Sequence, residues 1–430
     1  MRDANRDPRD GDQGFLPIFS VGNLGPPLLT VTWPGTAKNV LGVGGSEGFR
    51  LSGTDGCGTG NGMADNANQI LLIASRGPTA DGRLKPDLVA PSSHISSLAS
   101  TSLGFTGVAI CDPYFPPGQR LLNLSSGTSQ GAAHVTAAAA LATEAYRGWY
   151  GEMPSPAMIK AMLINSARDL GTSIQAPSNS LNKPNYFQGW GRVDTGSLVD
   201  NRARFVSDQK ELLTGSGEVR SFAPLVAEDP SKPVTVTLVW TDAPGTPAGW
   251  AWVNDLDLVV ESNGATYLGN VFEGGLSVPG GKADFRNNVE EVVLPAGASS
   301  FSITIAAANI AGDGVPAVSG ETDQDFALYV SNARAARHRG EVDFERNEVV
   351  CGARSALRLT DLDLLGYGRI SISVESNGDR ETVLMDEIPS GTGHYIGSID
   401  IAQGTARVGD GILTTTDSAP VRAIHLEPDP

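Results

Sequence analysis

Ser129 lies in Gly127-Thr-Ser-Gln-Gly131, between a short apolar approach at 121–124 and a run dominated by alanine. Gly127 permits a sharp turn, and Thr128 is suited to cap the helix that the alanines favour. Ser129 then falls on the first helical turn, where free N–H groups and the positive dipole end favour a developing anion. A serine so placed is either an N-terminal cap or a nucleophile. A second set of chemistry-bearing side chains lies downstream. Asp242, Asn254, Asp255, Asp257, Asp284, Asn288 and Glu290 supply hard oxygen ligands. Asp255 and Asp257 are two apart in a strand-like run, so both point to one face and can reach one ion. Structural Ca2+ is the cofactor expected there; the competing reading is solvated loop carboxylates.

The elements that would position Ser129 are short apolar strands alternating with helices. Residues 15–21 and 39–44 read as buried strands, 46–69 as a long loop rich in Gly, Asn and Asp, and 88–90 as a further strand. The alanine-rich helix covers 128–146. A second opens with Ser155 as cap and Pro156 at its first position, placing Met158, Ile159, Met162 and Leu163 on one face. This pattern indicates an α/β layer with a parallel sheet. Beyond about residue 200, the runs 234–240, 256–260, 301–305 and 326–330 are strands separated by turns, without a helix, as in an antiparallel sandwich. Residues 332–342 read as a linker, and 357–359, 370–374 and 395–401 as strands of a second small all-β module.

Composition narrows the function. With 40% hydrophobic and 18% charged residues, the 430-residue chain has ample core for two or three domains. A net charge of −17 argues against nucleic-acid or anionic-membrane partners and suits a secreted or calcium-binding protein. No apolar run is long enough to span a bilayer, and the charged first residues lack the apolar core of a signal peptide. Three cysteines leave open either one bridge, such as Cys57–Cys111, or three free thiols.

Several stretches together resemble the subtilisin-like serine proteases (subtilases, peptidase family S8). Ser126 to Val135 resembles the box around their nucleophile, and Ser20-Val-Gly-Asn-Leu-Gly25 their oxyanion segment. Pro34 to Asn39, Ser75-Arg-Gly-Pro78 and Lys85 to Pro91 are similar to the connectors between them. Gly189-Trp-Gly-Arg-Val193, Trp240 to Gly245, Val253 to Leu258 and Asn287 to Glu290 are similar to the alkaline branch with a C-terminal β-sandwich. The resemblance implies Ser129 as nucleophile, Asn23 and the Ser129 N–H as oxyanion donors, and Val21 and Gly22 along the substrate pocket. It implies an endopeptidase acting on protein and peptide substrates, secreted, with the calcium expectation strengthened. The fold expected is α/β, the C-terminal portion of a subtilisin-like parallel-sheet domain (1–203). Two all-β sandwich domains follow, a jelly-roll or P-domain-like one at 204–335 and a linker with an accessory sandwich at 336–430.

The sequence departs from this pattern in one major respect. Only 22 residues precede Asn23, and they hold no Asp-Ser/Thr-Gly or His-Gly-Thr. Val193-Asp-Thr-Gly196 comes too late and reads as a structural turn. His134 reads as a packing residue of the nucleophile helix; His94, His338, His394 and His425 read as solvated. The expectation is a chain that begins inside the catalytic domain, lacks the domain's N-terminal half with its Asp and His, and is inactive and poorly soluble alone. Ala133 and Ser92 replace the usual Pro and Gly. Two other readings compete: a non-catalytic, calcium-stabilised β-sandwich adhesion or targeting module on a protease remnant, and an α/β-hydrolase esterase, because Gly127 to Gly131 also satisfies Gly-x-Ser-x-Gly.

Overall fold

The structure is a computed structural model that describes residues 14–171, 182–246, 249–298, 300–316, 322–335, 341–344, 350–361, 364, 367–388, 392–416 and 419–425. The chain divides into two compact units. The first comprises Met1–Phe222 and Ala227–Arg334, the second Ala223–Val226 and Ala335–Pro430.

In the first unit β1 (Ile18–Ser20), β2 (Leu41–Ser46) and β3 (Leu88–Pro91) form a parallel sheet in that order. Its pairs run Ile18 to Leu41 and Val43 to Leu88. Every residue of β2 is buried, as expected of a parallel strand covered on both faces. Strands β4 (Ile95–Leu98) and β5 (Leu122–Ser125) pair antiparallel as a separate ribbon. Helix α1 (Thr128–Tyr150) follows, its buried stripe of Val135, Ala138, Ala139 and Ala142 facing the parallel sheet; small side chains let helix and sheet approach closely.

Helix α2 (Pro156–Asn165) starts where the sequence places it, with Ser155 Oγ accepting from Met158 N at 3.0 Å and Pro156 in the first turn. Its burial is not one-sided. Ala157, Lys160, Ala161 and Ile164 are buried along with Met158, Met162 and Leu163. The reason is tertiary: the core that contains α2 also contains Val239, Val289, Ala327 and Tyr329 from downstream strands. The helix thus has a sheet on either side.

Those strands form two sheets. One orders Val289–Leu294, Val234–Val239, Gln324–Ser331 and Arg204–Leu213; the other orders Ala265–Leu268, Asp255–Ser262, Ser300–Asn309, Val219–Ala227 and Ala333–Ala335. Pairing is antiparallel throughout the first and along 255–309 in the second. The Ala333–Ala335 strand occupies part of the stretch read as linker, of which 336–340 lie outside the described residues. In the second unit seven strands between Glu341 and Ile424 share one hydrogen-bonded sheet over a core of Leu357, Val374, Met385, Tyr395 and Ile401.

Polar contacts join the parallel layer to the downstream sheets. Asn39 Nδ2 donates to Asp242 O at 2.8 Å while Asp242 N donates to Asn39 Oδ1 at 3.1 Å. Lys38 Nζ lies 2.6 Å from Asp242 Oδ2, with side-chain exposures of 9% and 1%. A buried pair is a weak source of net stability, but removing one partner strands the other charge. Asp242→Ala should therefore lower the unfolding free energy by about 3–5 kcal/mol, and Lys38→Met with Asp242→Leu should recover most of the loss. Urea denaturation measures both; a single-variant loss under about 1 kcal/mol would contradict the assignment.

Candidate active site

Gly127, not Thr128, is the N-cap of α1, with φ 143° and ψ 164°. Thr128 is the first helical residue, and its polar groups serve a different purpose. Its backbone N–H donates to Asn23 Oδ1 at 2.9 Å, and its hydroxyl donates to the same oxygen at 3.0 Å and to Gly22 O at 3.2 Å. Engaging Oδ1 twice fixes which way the amide faces, leaving Nδ2 as the outward donor. A Cβ at Gly127 would stand 3.0 Å from that nitrogen, so glycine keeps the approach open. Ser129 follows on the first turn of α1; both it and Asn23 are exposed. Ser129 and Asn23 thus come together across more than a hundred residues of sequence.

Asn23 is placed by the turn beyond β1. Val21 N donates to Val43 O at 3.0 Å, extending the sheet, and Leu24 N donates to Ser75 Oγ at 3.0 Å. Val21 is fully buried and its carbonyl accepts from Thr32 N at 2.9 Å. Gly22 is half-buried, so of the two residues expected along the substrate pocket only Gly22 keeps exposed surface.

The approach to Ser129 carries a network that the motifs do not announce. Ser126 Oγ donates to Asp55 Oδ2 at 2.6 Å and accepts from His94 N at 2.8 Å. Asp55 Oδ1 in turn accepts from Cys57 N at 3.0 Å and Thr59 N at 2.9 Å. Cys57 and Cys111 form a disulfide, and Ser126 N lies 3.3 Å from Cys111 Sγ. The long loop, Cys111 and His94 thus meet three residues before the serine. The Asp55-Gly-Cys run is an Asx-turn signal that could have located the loop's anchor.

The histidines are placed differently from the sequence reading. His94 is buried, its Nε2 2.8 Å from Thr59 O and its Nδ1 2.7 Å from Arg50 O. His425 is no solvated residue either, since Nε2 lies 2.7 Å from the buried Asp361. His134, read as a packing residue, is exposed with Nδ1 3.0 Å from Pro91 O. His394 is exposed, and His338 lies outside the described residues. Among the described residues no histidine or carboxylate hydrogen-bonds to the Ser129 hydroxyl. Asp194 caps the short helix α3 (Thr195–Leu198), bonding Gly196 N and Ser197 N, in keeping with a structural turn. Strand β5, which leads to Ser129, pairs antiparallel outside the parallel sheet, unlike the strand that feeds a hydrolase elbow.

The expected metal ligands separate into two groups. Asp242 is committed to Lys38 and to Val253 N and Asn254 N, at 2.9 and 2.8 Å, because it joins the two layers. Asn288 Nδ2 donates to Trp240 O at 2.7 Å and Asn39 Oδ1 at 3.2 Å in the same junction. Both oxygens of Asp242 are thus engaged in holding the fold together, and Asn288 is tied into the same junction through Nδ2. Asp255, Asp257 and Glu290 behave otherwise: each keeps one buried oxygen (Oδ1, Oδ1 and Oε1) without a hydrogen-bond partner. Leu256 and Leu258 point into the core between them, so both aspartates lie on the opposite face. Burial, then repulsion from Asp257, Asp284 and Asp242, pushes Asp255 up to about 7. Burial and Asp284 raise Asp257, while burial and then Asp284, Asp257 and Asp255 hold Glu290 well above the usual range. Gly269 makes room for Glu290, since a Cβ there would meet its Oε2 at 2.1 Å. Asp284 accepts from Asn270 and Asn287 side chains at 2.8 and 2.7 Å.

Comparison with known proteins points to serine proteases. The model of the subtilase family matches residues 3–191. The chain is 32% identical over 268 residues to the Serine protease/ABC transporter B family protein tagA of Dictyostelium discoideum, covering 56% of this chain and 14% of that protein. It is 31% identical over 306 residues to the tagB protein of the same organism, covering 57% and 16%. Serine protease AprX of Bacillus subtilis (strain 168) is 31% identical over 87 residues, 20% of this chain and 17% of that protein. The chain thus spans about one-sixth or less of the length of these relatives. Over residues 3–191, the chain is similar to the subtilase family.

Proposed function

We propose that the chain supplies the nucleophile and oxyanion site of a serine endopeptidase acting on protein or peptide chains. The observation that carries this reading is the orientation of Asn23 by Thr128, beside Ser129 at a helix N-terminus. Attack on an amide carbonyl builds charge on its oxygen, and a fixed Asn Nδ2 with the Ser129 N–H is a donor pair suited to receive it. The proton of Ser129 must go to a base; none of the described residues is hydrogen-bonded to its hydroxyl, and in this reading the base and its orienting carboxylate lie outside them. Secretion follows from the same family-level reading.

Purified chain alone should hydrolyse peptides no faster than background, because the members of a triad act as a unit. Supplying a subtilase fragment that carries the Asp and His elements should restore hydrolysis, and Ser129→Ala should abolish it. Asn23→Ala should lower the restored kcat by about 10²–10³, a figure known for the corresponding donor of subtilisin and taken over rather than predicted. Hydrolysis that survives Ser129→Ala would refute the reading.

Calcium is proposed for the carboxylates that keep free oxygens. Asp255, Asp257 and Glu290 would hold it, with Asp284 adding negative charge, while both oxygens of Asp242 are engaged elsewhere. The oxygens of Asp255, Asp257 and Glu290 would draw together around a cation. When bound, calcium neutralises the buried negative charge. Without it the folded-state values of Asp255 (about 7), Asp257 and Glu290 lie above their unfolded ones, near ~4. The contribution of Asp255 is therefore full below ~4 and lost as pH rises through about 7, and Asp257 and Glu290 act in the same direction. In chelator, Tm should fall between pH ~5 and ~8. Calcium at a hundredfold over Kd should add about 2.7 kcal/mol, mainly at the higher pH. Equal calcium shifts at both pH values, or shifts unchanged by Asp255→Asn with Asp257→Asn, would remove the site.

A further inference from the structure

A cleft of about 760 Å3 opens between residues 182–190 and 270–287 of the first unit, away from the groups assigned to the peptidase site. Its wall amides are already committed. Asn270 and Asn287 both donate to Asp284, and Asn287 Oδ1 accepts from Leu84 N at 2.8 Å. The wall is therefore held in place before any ligand arrives.

The uncommitted groups are cations and rings. Lys282 and Arg286 are exposed on the cleft and have no ion-pair partner among the described residues, in a chain of net charge −17. Tyr186 and Phe285 present rings there, 38% and 49% exposed. Phe285 carries the surface outward: Trp252 meets it edge-on at 5.7 Å and stacks on Trp250 at 4.8 Å and 26°. Trp250 is 63% exposed, which is unusual for so large an apolar side chain. Arg286 Cζ stands 4.5 Å from the Phe285 ring centre, so charge and aromatic face adjoin.

We propose that this cleft and its aromatic rim bind an acidic oligosaccharide, a chain of uronic-acid rings. Each such ring offers a carboxylate for Arg286 or Lys282 and a slightly positive C–H face for an electron-rich aromatic face. A peptide would instead seek an enclosed apolar pocket for an anchoring side chain, and this cleft is open and mostly polar. The function goes beyond peptide hydrolysis and does not depend on it.

Titration calorimetry of the full chain with hexagalacturonate, cellohexaose and polyglutamate tests the proposal. Hexagalacturonate should bind and weaken with added salt, while the neutral sugar and the acidic peptide bind at least about tenfold more weakly. Trp250→Ala and Arg286→Gln should each weaken hexagalacturonate about tenfold. Both residues are exposed, so an unchanged circular dichroism spectrum is expected, and Lys282→Gln provides a further variant on the same surface. Absence of hexagalacturonate binding would overturn the proposal. So would polyglutamate binding as tightly, cellohexaose binding as tightly, or affinity indifferent to all three variants.

Discussion

The arrangement of the site depends on a single side-chain oxygen. Asn23 Oδ1 receives both the N–H and the hydroxyl of Thr128, which ties the start of α1 to the turn beyond β1. The two hydrogen bonds satisfy one orphan donor of the helix terminus and choose the face of an amide at once. Rotating the amide would set Nδ2 against the Thr128 N–H, donor against donor. Helix position, sheet position and the direction of the Asn23 amide are thus one constraint. Asp55 and the Cys57–Cys111 bridge constrain the other side of the turn by holding Ser126.

Around this point the unit tolerates an unusual amount of buried charge. Asp87 faces both Lys85 and Lys160, with Lys160 Nζ 3.1 Å from Oδ1, and also accepts from Gly42 N at 2.6 Å. Burial outweighs Asp87 in bringing Lys85 down to about 8. Lys160 reaches Asp87 from α2, and its Nζ also lies 3.2 Å from Val40 O. These ions link α2 to the sheet that carries Asn23, while Lys38 and Asp242 link the same layer to the strands downstream. Buried charge pairs confer little net stability, and removing one partner strands the other. The layers that carry the serine and the carboxylate cluster are therefore parts of one compact unit.

Much of this was legible in the sequence wherever the information was local. The parallel strands, the Ala-rich helix, the Ser155 cap and the Asp194 turn all rest on neighbours a few residues apart. The pairing of Ser129 with Asn23 was legible only as a resemblance, since nothing local brings position 23 to position 129. What escaped was decided by tertiary contact. The apolar pattern of α2 suggested one buried face, but strands at 234–239 and 324–331 cover the other. Asp242 had the chemistry of a ligand, yet Lys38, from far upstream, claims it. His94 and His425 looked like loop residues because their partners, Thr59 O and Asp361, are remote in sequence.

We infer that Ser129 is a nucleophile whose base and orienting carboxylate lie outside the described residues, with Asn23 set to receive the developing charge. A fluorophosphonate probe with imidazole as a diffusible base tests it most directly, with the labelled site read by peptide mass spectrometry. The account predicts imidazole-dependent labelling concentrated on Ser129 and reduced by Asn23→Ala, because the phosphonyl oxygen needs the same donor. Labelling spread evenly over exposed serines, or labelling of Ser129 indifferent to Asn23→Ala, would contradict it.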